Sequence, residues 1–118
     1  MNDRFEEKEL HKARKQRERE KWFRIKQTTN EQGLKQYPYV DSDGYVHATT
    51  VKENAAIDNA RYRYYNLNKF EKAVSKLTGQ KARLDKLADQ AFFGESKEDR
   101  KKAGEELDKM FGGKGATL

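Results

Sequence analysis

The chain has no cysteine, one proline and no apolar run longer than three residues. Without cysteine there is no disulfide, no thiolate zinc site and no cysteine nucleophile, which fits a reducing compartment. A membrane-spanning helix needs about 20 apolar residues, and residues 1–30 lack even the shorter apolar stretch of a secretory signal. We therefore expect a soluble protein without membrane contact, located in the cytoplasm, or in the virion if the source is a phage.

Apolar residues are scarce as well, since 34% of the 118 residues are hydrophobic and 39% are charged. A chain of this length suits a single domain, and this composition provides less apolar area for a core than a typical domain has. Six Tyr, six Phe and one Trp nevertheless argue against a fully disordered chain, which would be poor in aromatic residues. The sequence predicts one small domain with a thin core.

The positive charge is concentrated in two blocks. Residues 12–35 carry nine Lys or Arg against three Asp or Glu, and residues 61–86 carry eight against two, so each block has a net charge of +6. The stretches between and around them are mildly acidic. Clustered cations create a local electric field, which is how a protein surface attracts a polyanion.

The first block predicts a long helix over residues 5–27. Ala, Leu, Glu, Lys, Arg and Gln dominate this stretch, Gly and Pro are absent from it, and opposite charges recur three or four residues apart. Between Leu10 and Trp22 the only hydrophobic residue is Ala13, whereas a core-facing helix has one every three or four residues. Most of this helix is expected to project, with Trp22 and Phe23 available as anchors for a partner.

A linker and a β-hairpin are expected next. The stretch "TTNEQGL" predicts a linker, and aromatic and β-branched residues on both sides of "DSDG" predict two short strands joined by a turn. Pro38 restricts the first strand to an edge. Asp41 and Asp43 have the spacing of two calcium ligands, but Gly44 comes too early and Lys52 stands where a bidentate carboxylate is needed. We interpret the segment as a turn and expect no metal site.

A second helix is expected to begin near Val51, because Thr50 and Glu53 have the spacing of a capping box. Apolar residues then recur at steps of three and four as far as Leu77, which predicts one helix with a continuous apolar face. That face consists of Ile57, Ala60, Tyr64, Leu67, Phe70, Val74 and Leu77.

Two shorter helices complete the predicted fold. Gly79 marks a turn before a helix that ends near Phe93, and Ser96 with Asp99 forms a second capping box, which starts a helix reaching residue 111. The fold class is therefore mainly α, with a long basic N-terminal helix, one β-hairpin and a small three-helix bundle. We divide the chain into an arm and linker (1–33), a small domain (34–111) and a flexible tail (112–118).

Both basic blocks supply candidate phosphate contacts, because Lys and Arg neutralise phosphates and exposed Tyr can stack on bases. The candidates in the arm are Lys12, Arg14, Lys15, Arg17, Arg19, Lys21, Arg24 and Lys26. The candidates in the second block are Arg61, Arg63, Tyr65, Lys69 and Lys72.

Two classes of function follow from this pattern. The first is a small accessory protein that binds DNA or RNA largely through phosphates. The second is a structural or regulatory interaction module, such as a small virion component or an inhibitor of a larger complex, whose arm docks on an acidic protein surface through Trp22 and Phe23. The six Asp and Glu within residues 3–20 favour the second class, because phosphate repels them. Self-association is open in both classes.

Catalysis has little support in the sequence. His11 lies in a charged helix and His47 in a predicted strand, and neither has a second His or a Cys near it. The glycines of "FGGKGATL" lack the spacing of a phosphate-binding loop. We expect no enzymatic activity, no catalytic residue and no cofactor.

Overall fold

The computed structural model describes residues 3–112, and the side chains from residue 6 onward. Within that range the elements are α1 (Asp3–Lys26), β1 (Tyr37–Val40), β2 (Val46–Thr49), α2 (Lys52–Tyr65), α3 (Lys69–Leu77), α4 (Gln80–Phe93) and α5 (Lys97–Asp108), followed by a 3-10 turn (Met110–Gly112). None of the described helices is long and apolar enough to cross a membrane. The predicted fold class is confirmed.

The core lies where α2, α4 and α5 pack against one another. Ala60, Leu84 and Leu107 are almost completely buried at its centre, one from each helix. Small residues on the facing sides, among them Ala56, Ala88, Ala91 and Ala103, allow the helices to approach closely. The three helices form the predicted bundle, with a core as thin as the composition requires.

The prediction of one helix from Val51 to Leu77 is wrong, because the chain bends between α2 and α3. Asn68 is the N-cap of α3: its side chain accepts a hydrogen bond from the Glu71 N–H (2.7 Å), and the Glu71 carboxylate accepts one from the Asn68 N–H (3.2 Å). This reciprocal pair starts a new helix. The bend turns Phe70 and Leu77 outward, and they are 76% and 87% exposed.

The two predicted capping boxes have different outcomes. Ser96 does cap α5, since its hydroxyl accepts a hydrogen bond from the Asp99 N–H at 3.0 Å. The box at Thr50 and Glu53 is wrong: α2 has Val51 as its N-cap, without a side-chain hydrogen bond. Val51 has an extended backbone conformation, and its N–H donates a hydrogen bond to the Thr49 hydroxyl at 3.2 Å.

The predicted hairpin is confirmed, with Val40 opposite Val46. In its turn, one carboxylate oxygen of Asp41 accepts hydrogen bonds from the N–H groups of Asp43 and Tyr45, both at 2.9 Å. The Asp41 side chain therefore stabilises the turn by binding backbone groups that follow it in the chain. Gly44 has a φ of +89°, a conformation that favours glycine.

The side chain of Asn59 on α2 ties the bundle to the free edge of β1. Its carbonyl oxygen accepts a hydrogen bond from the Val40 N–H (3.0 Å), and its amide donates to the Pro38 carbonyl (3.2 Å). A buried edge strand would otherwise leave these backbone groups unsatisfied. A two-stranded sheet, which is marginal alone, is thereby stabilised by a helix.

A second small cluster fixes α1 on the hairpin. Ile25 is buried with Val40 and Val46, and Trp22 packs against them. Four residues earlier, the Glu18 carboxylate accepts a hydrogen bond from the Val46 N–H at 2.7 Å. Trp22 is therefore not the free partner anchor that the sequence predicted, because it docks α1 on the protein's own hairpin. Phe23 remains 54% exposed.

The predicted division into arm, domain and tail stays a prediction, although α1 contacts both strands of the hairpin. Residues 113–118, most of the predicted tail, lie outside the described residues.

Candidate nucleic-acid interface

The docked side of α1 determines which of its cations are accessible together. Arg14, Glu18, Trp22 and Ile25 face the hairpin. With about 100° between successive residues, the neighbouring arc of the helix, about 80° wide, contains only basic residues and Trp22 between positions 8 and 26. This set, called here the α1 row, consists of Lys8, Lys12, Lys15, Arg19, Trp22 and Lys26. Its members are three or four residues apart and extend over roughly 27 Å.

The acidic residues of α1 lie outside this row. Glu9 and Glu20 point away from the hairpin, and Glu18 points into it. Among the described contacts, the Glu9 carboxylate lies 4.0 Å from Lys12 Nζ, with both side chains well exposed, a geometry that stabilises very little. A phosphate bound along the α1 row therefore meets basic side chains, while the carboxylates of α1 lie on other sides of the helix. Repulsion between phosphate and these carboxylates is weaker on the side of the row than the sequence suggests.

The other predicted cations of the arm are arranged differently. Arg17, Lys21 and Arg24 lie on the opposite flank of α1, beside Glu20, which is three residues from Arg17 and four from Arg24. Arg14 is a correction to the predicted set: its guanidinium donates to the Asp43 carbonyl (3.0 Å) and lies 4.5 Å from the centre of the Tyr45 ring. It fastens α1 to the hairpin turn and is not available to phosphate.

The α1 row ends in an open cleft of about 440 Å³ between α1, β1 and α2, called here the basic cleft. Trp22 and Lys26 line it from α1, Lys35 and Tyr37 from the linker and β1, Lys52 from α2 and Asp108 from α5. The three lysine side chains are exposed, and Lys35 Nζ lies 5.7 Å from the centre of the Tyr37 ring. Lys35, Tyr37 and Lys52 were missed by sequence reasoning, because they lie outside the two basic blocks or at the edge of one.

Arg61 lies across the hairpin from α1. Val40 and Val46 face α1, and side chains alternate along a strand, so Tyr39 and His47 face the other way and stack on each other with ring centres 5.2 Å apart. Arg61 lines a separate cleft beside Tyr39, and its guanidinium lies 3.9 Å from the Asp58 carboxylate. Arg61 therefore lies at a cleft different from the one at the end of α1.

Arg63 is a further correction, because it is 8% exposed and cannot reach a phosphate. Its guanidinium donates to the carbonyls of Leu107 (2.8 Å) and Met110 (2.9 Å), where α5 ends. Burial lowers the pKa of Arg63, and the charge of Asp108 partly opposes that shift. A cation at a helix C-terminus satisfies carbonyls that have no partner within the helix, which is a structural role.

The remaining candidates of the second block lie near the bend between α2 and α3. Tyr65 and Lys69 are exposed, whereas Lys72 is partly buried, with Nζ 6.0 Å from the centre of the Tyr64 ring. The helix α3, which carries Lys69 and Lys72, packs against α4, whereas α1 packs on the hairpin.

The contact between Asp41 and His47 predicts a pH dependence of stability. Burial raises the pKa of Asp41, but the hydrogen bond from His47 (2.8 Å) and those from the hairpin N–H groups outweigh it, so this pKa lies below its ordinary value. A carboxyl with a lowered pKa stabilises the fold above its unfolded-state pKa, and this contribution is lost as the pH falls through the folded-state pKa.

Asp41→Asn is accordingly expected to lower the free energy of unfolding at neutral pH, and the difference from the parent chain should vanish once the pH falls well below about 4. Urea unfolding across this range measures it. Asp43→Asn removes the same charge from an exposed position in the same turn and serves as the control. A deficit of Asp41→Asn that persisted unchanged into strong acid would contradict this assignment.

Within residues 3–112, no group of three His, Asp or Glu side chains is arranged to hold a metal ion. Neither a protein-family model, nor a curated protein, nor a solved structure matches this chain.

Proposed function

We propose that this chain is a small non-enzymatic accessory protein that binds nucleic acid through phosphate contacts made by the α1 row. The observation that carries the proposal is the segregation of charge on α1, which collects five exposed cations on one side of a single rigid helix. A helix held at one end by the hairpin keeps these cations in a fixed line, so their positions are set before binding.

The physical basis is counterion release. Each phosphate neutralised by Lys or Arg frees a condensed counterion, so the logarithm of the binding constant falls linearly with the logarithm of the salt concentration, with a slope of about −0.9 per contact on duplex DNA. If all five cations of the row contact phosphates, the expected slope is about −4.5. Contacts of this kind do not distinguish base sequences.

Fluorescence anisotropy with labelled oligonucleotides of random sequence tests the proposal. Titrations of the purified chain at a series of salt concentrations should give binding at low salt, a steep linear loss of affinity with salt, and similar values for unrelated sequences. Absence of binding at low salt, or an affinity that salt leaves unchanged, would contradict it.

A protein-interaction module is the second candidate, favoured by α3 and not by the arm. On α1 the exposed Leu10 and Phe23 point about 140° apart and form no common apolar face. On α3, Phe70, Val74 and Leu77 are exposed along one side of the helix. Self-association without nucleic acid that is lost in Phe70→Ser/Leu77→Ser, measured by analytical ultracentrifugation, would favour this candidate.

A further inference from the structure

The basic cleft lies at the end of the α1 row, so a strand whose phosphates follow the row is led directly into it. We infer that the basic cleft holds an unpaired nucleotide of a single-stranded nucleic acid, with its base against Trp22 or Tyr37 and its phosphates at the surrounding lysines. This inference rests on the proposed function and makes it more specific, because it selects single strands over duplexes.

The lining of the cleft has the composition that single strands require. Proteins bind such strands by combining a positively charged groove with aromatic side chains on which bases stack. Trp22 and Tyr37 are the aromatic residues that line a space of about 440 Å³, within the size range of small-ligand sites. A duplex keeps its bases paired and stacked, so their flat faces are not available to these rings.

The charges in the cleft indicate where the phosphates lie. Lys26, Lys35 and Lys52 are exposed, whereas Asp108 is partly buried. Burial raises the pKa of Asp108, and the charges of Arg63 and Lys52 oppose this shift. The three cations outnumber the single carboxylate, and phosphates therefore lie against the exposed lysines and away from Asp108.

The cleft is continuous with the α1 row, and this continuity favours a strand over a free nucleotide as the ligand. Lys26 belongs to both, and Trp22 is at once the row's only aromatic residue and part of the cleft wall. A mononucleotide can occupy the cleft but cannot reach the lysines farther along α1. Affinity is therefore expected to rise with strand length until the strand spans the row.

Trp22 makes the experiment direct, because it is the only tryptophan in the chain. Its fluorescence is measured at low salt while an oligothymidylate, the same strand annealed to its complement, or thymidine monophosphate is added. The single strand is expected to quench Trp22 and to bind at least roughly ten-fold more tightly than the mononucleotide. The duplex is expected to bind, as anisotropy reports, with little quenching.

Two sets of variants locate the effect. Lys35→Ala/Lys52→Ala and Tyr37→Leu should each weaken single-strand binding roughly ten-fold and leave duplex affinity much less changed. Lys86→Ala/Lys97→Ala, which removes the same charge from exposed positions on α4 and α5, is the matched control and should change neither. Asp108→Asn should tighten single-strand binding by roughly three-fold, a gain that loss of folding cannot produce.

The possible failures are distinguishable. If neither single strand nor duplex binds, the proposed function itself is wrong. If both bind equally, Trp22 is not quenched, and the cleft variants match the control variant, then the protein binds phosphates along α1 but the cleft holds no base, which overturns this inference alone.

Discussion

Replacement of Lys12 and Lys15 by Glu is expected to weaken binding to nucleic acid by at least roughly ten-fold at low salt. The same change should flatten the slope of log affinity against log salt by about 1.8 on duplex DNA, since each lost phosphate contact removes about 0.9. Both side chains are exposed in the middle of the α1 row, so the change leaves the packing of α1 on the hairpin intact. Anisotropy titrations at several salt concentrations measure both quantities.

The matched control is Arg17→Glu/Arg24→Glu, which makes the same change of net charge on the opposite flank of the same helix. A general effect of net charge would weaken both variants equally. The row predicts that the Lys12/Lys15 variant loses several-fold more affinity and more slope than the control. Equal losses, or a larger loss in the control, would show that α1 contacts nucleic acid through another side.

Replacement of Arg63 by Ala is expected to lower the free energy of unfolding by about 3 kcal/mol and the melting temperature by roughly 12 °C. The truncation leaves the buried carbonyls of Leu107 and Met110 without their donor and opens a space between α2 and α5. Among point substitutions, those that break a buried hydrogen-bond network are one of the classes with unusually large losses of stability. Urea and thermal unfolding followed by circular dichroism measure it.

Arg61→Ala provides the comparison, two residues along the same helix. The Arg61 side chain is 50% exposed and its ion pair with Asp58 is loose, so this substitution should cost less than about 0.5 kcal/mol. Arg63→Lys should recover only part of the lost free energy of unfolding, because a single ammonium group cannot reproduce the geometry in which two guanidinium nitrogens donate to two carbonyls. A small effect of Arg63→Ala, similar to that of Arg61→Ala, would contradict the structural role of Arg63.

The elements of this fold were predictable where local signals and tertiary packing agree. Residue patterns predict the long α1, the Asp-Gly hairpin and the cap at Ser96, and each is present. Asn68 and Glu71 also have the spacing of a capping box, which indicates a helix start before α3, whereas the apolar periodicity from Phe70 to Leu77 predicts that the preceding helix continues. A periodic apolar face predicts a helix without saying that the face is buried.

The site was harder to predict, because a sequence does not say which side of a polar helix is docked. Counting charges placed Arg14 with the other cations of the arm, whereas in the fold it serves the hairpin turn. In the sequence Arg63 is likewise one more cation in a basic run, although in the fold its side chain points into the protein and is buried. The basic cleft could not be found from spacing at all, since Lys35 and Lys52 meet Trp22 only through tertiary packing.

The measurement that tests the central claim most directly is an NMR titration of the labelled chain with a short single-stranded oligonucleotide at low salt. We expect the largest chemical-shift changes at the α1 row, the Trp22 indole N–H, Tyr37 and Lys52, with α4 and the outer side of α5 unchanged. Shifts that map instead to the outward side of α3 or to the cleft beside Arg61, with α1 unaffected, would contradict the account.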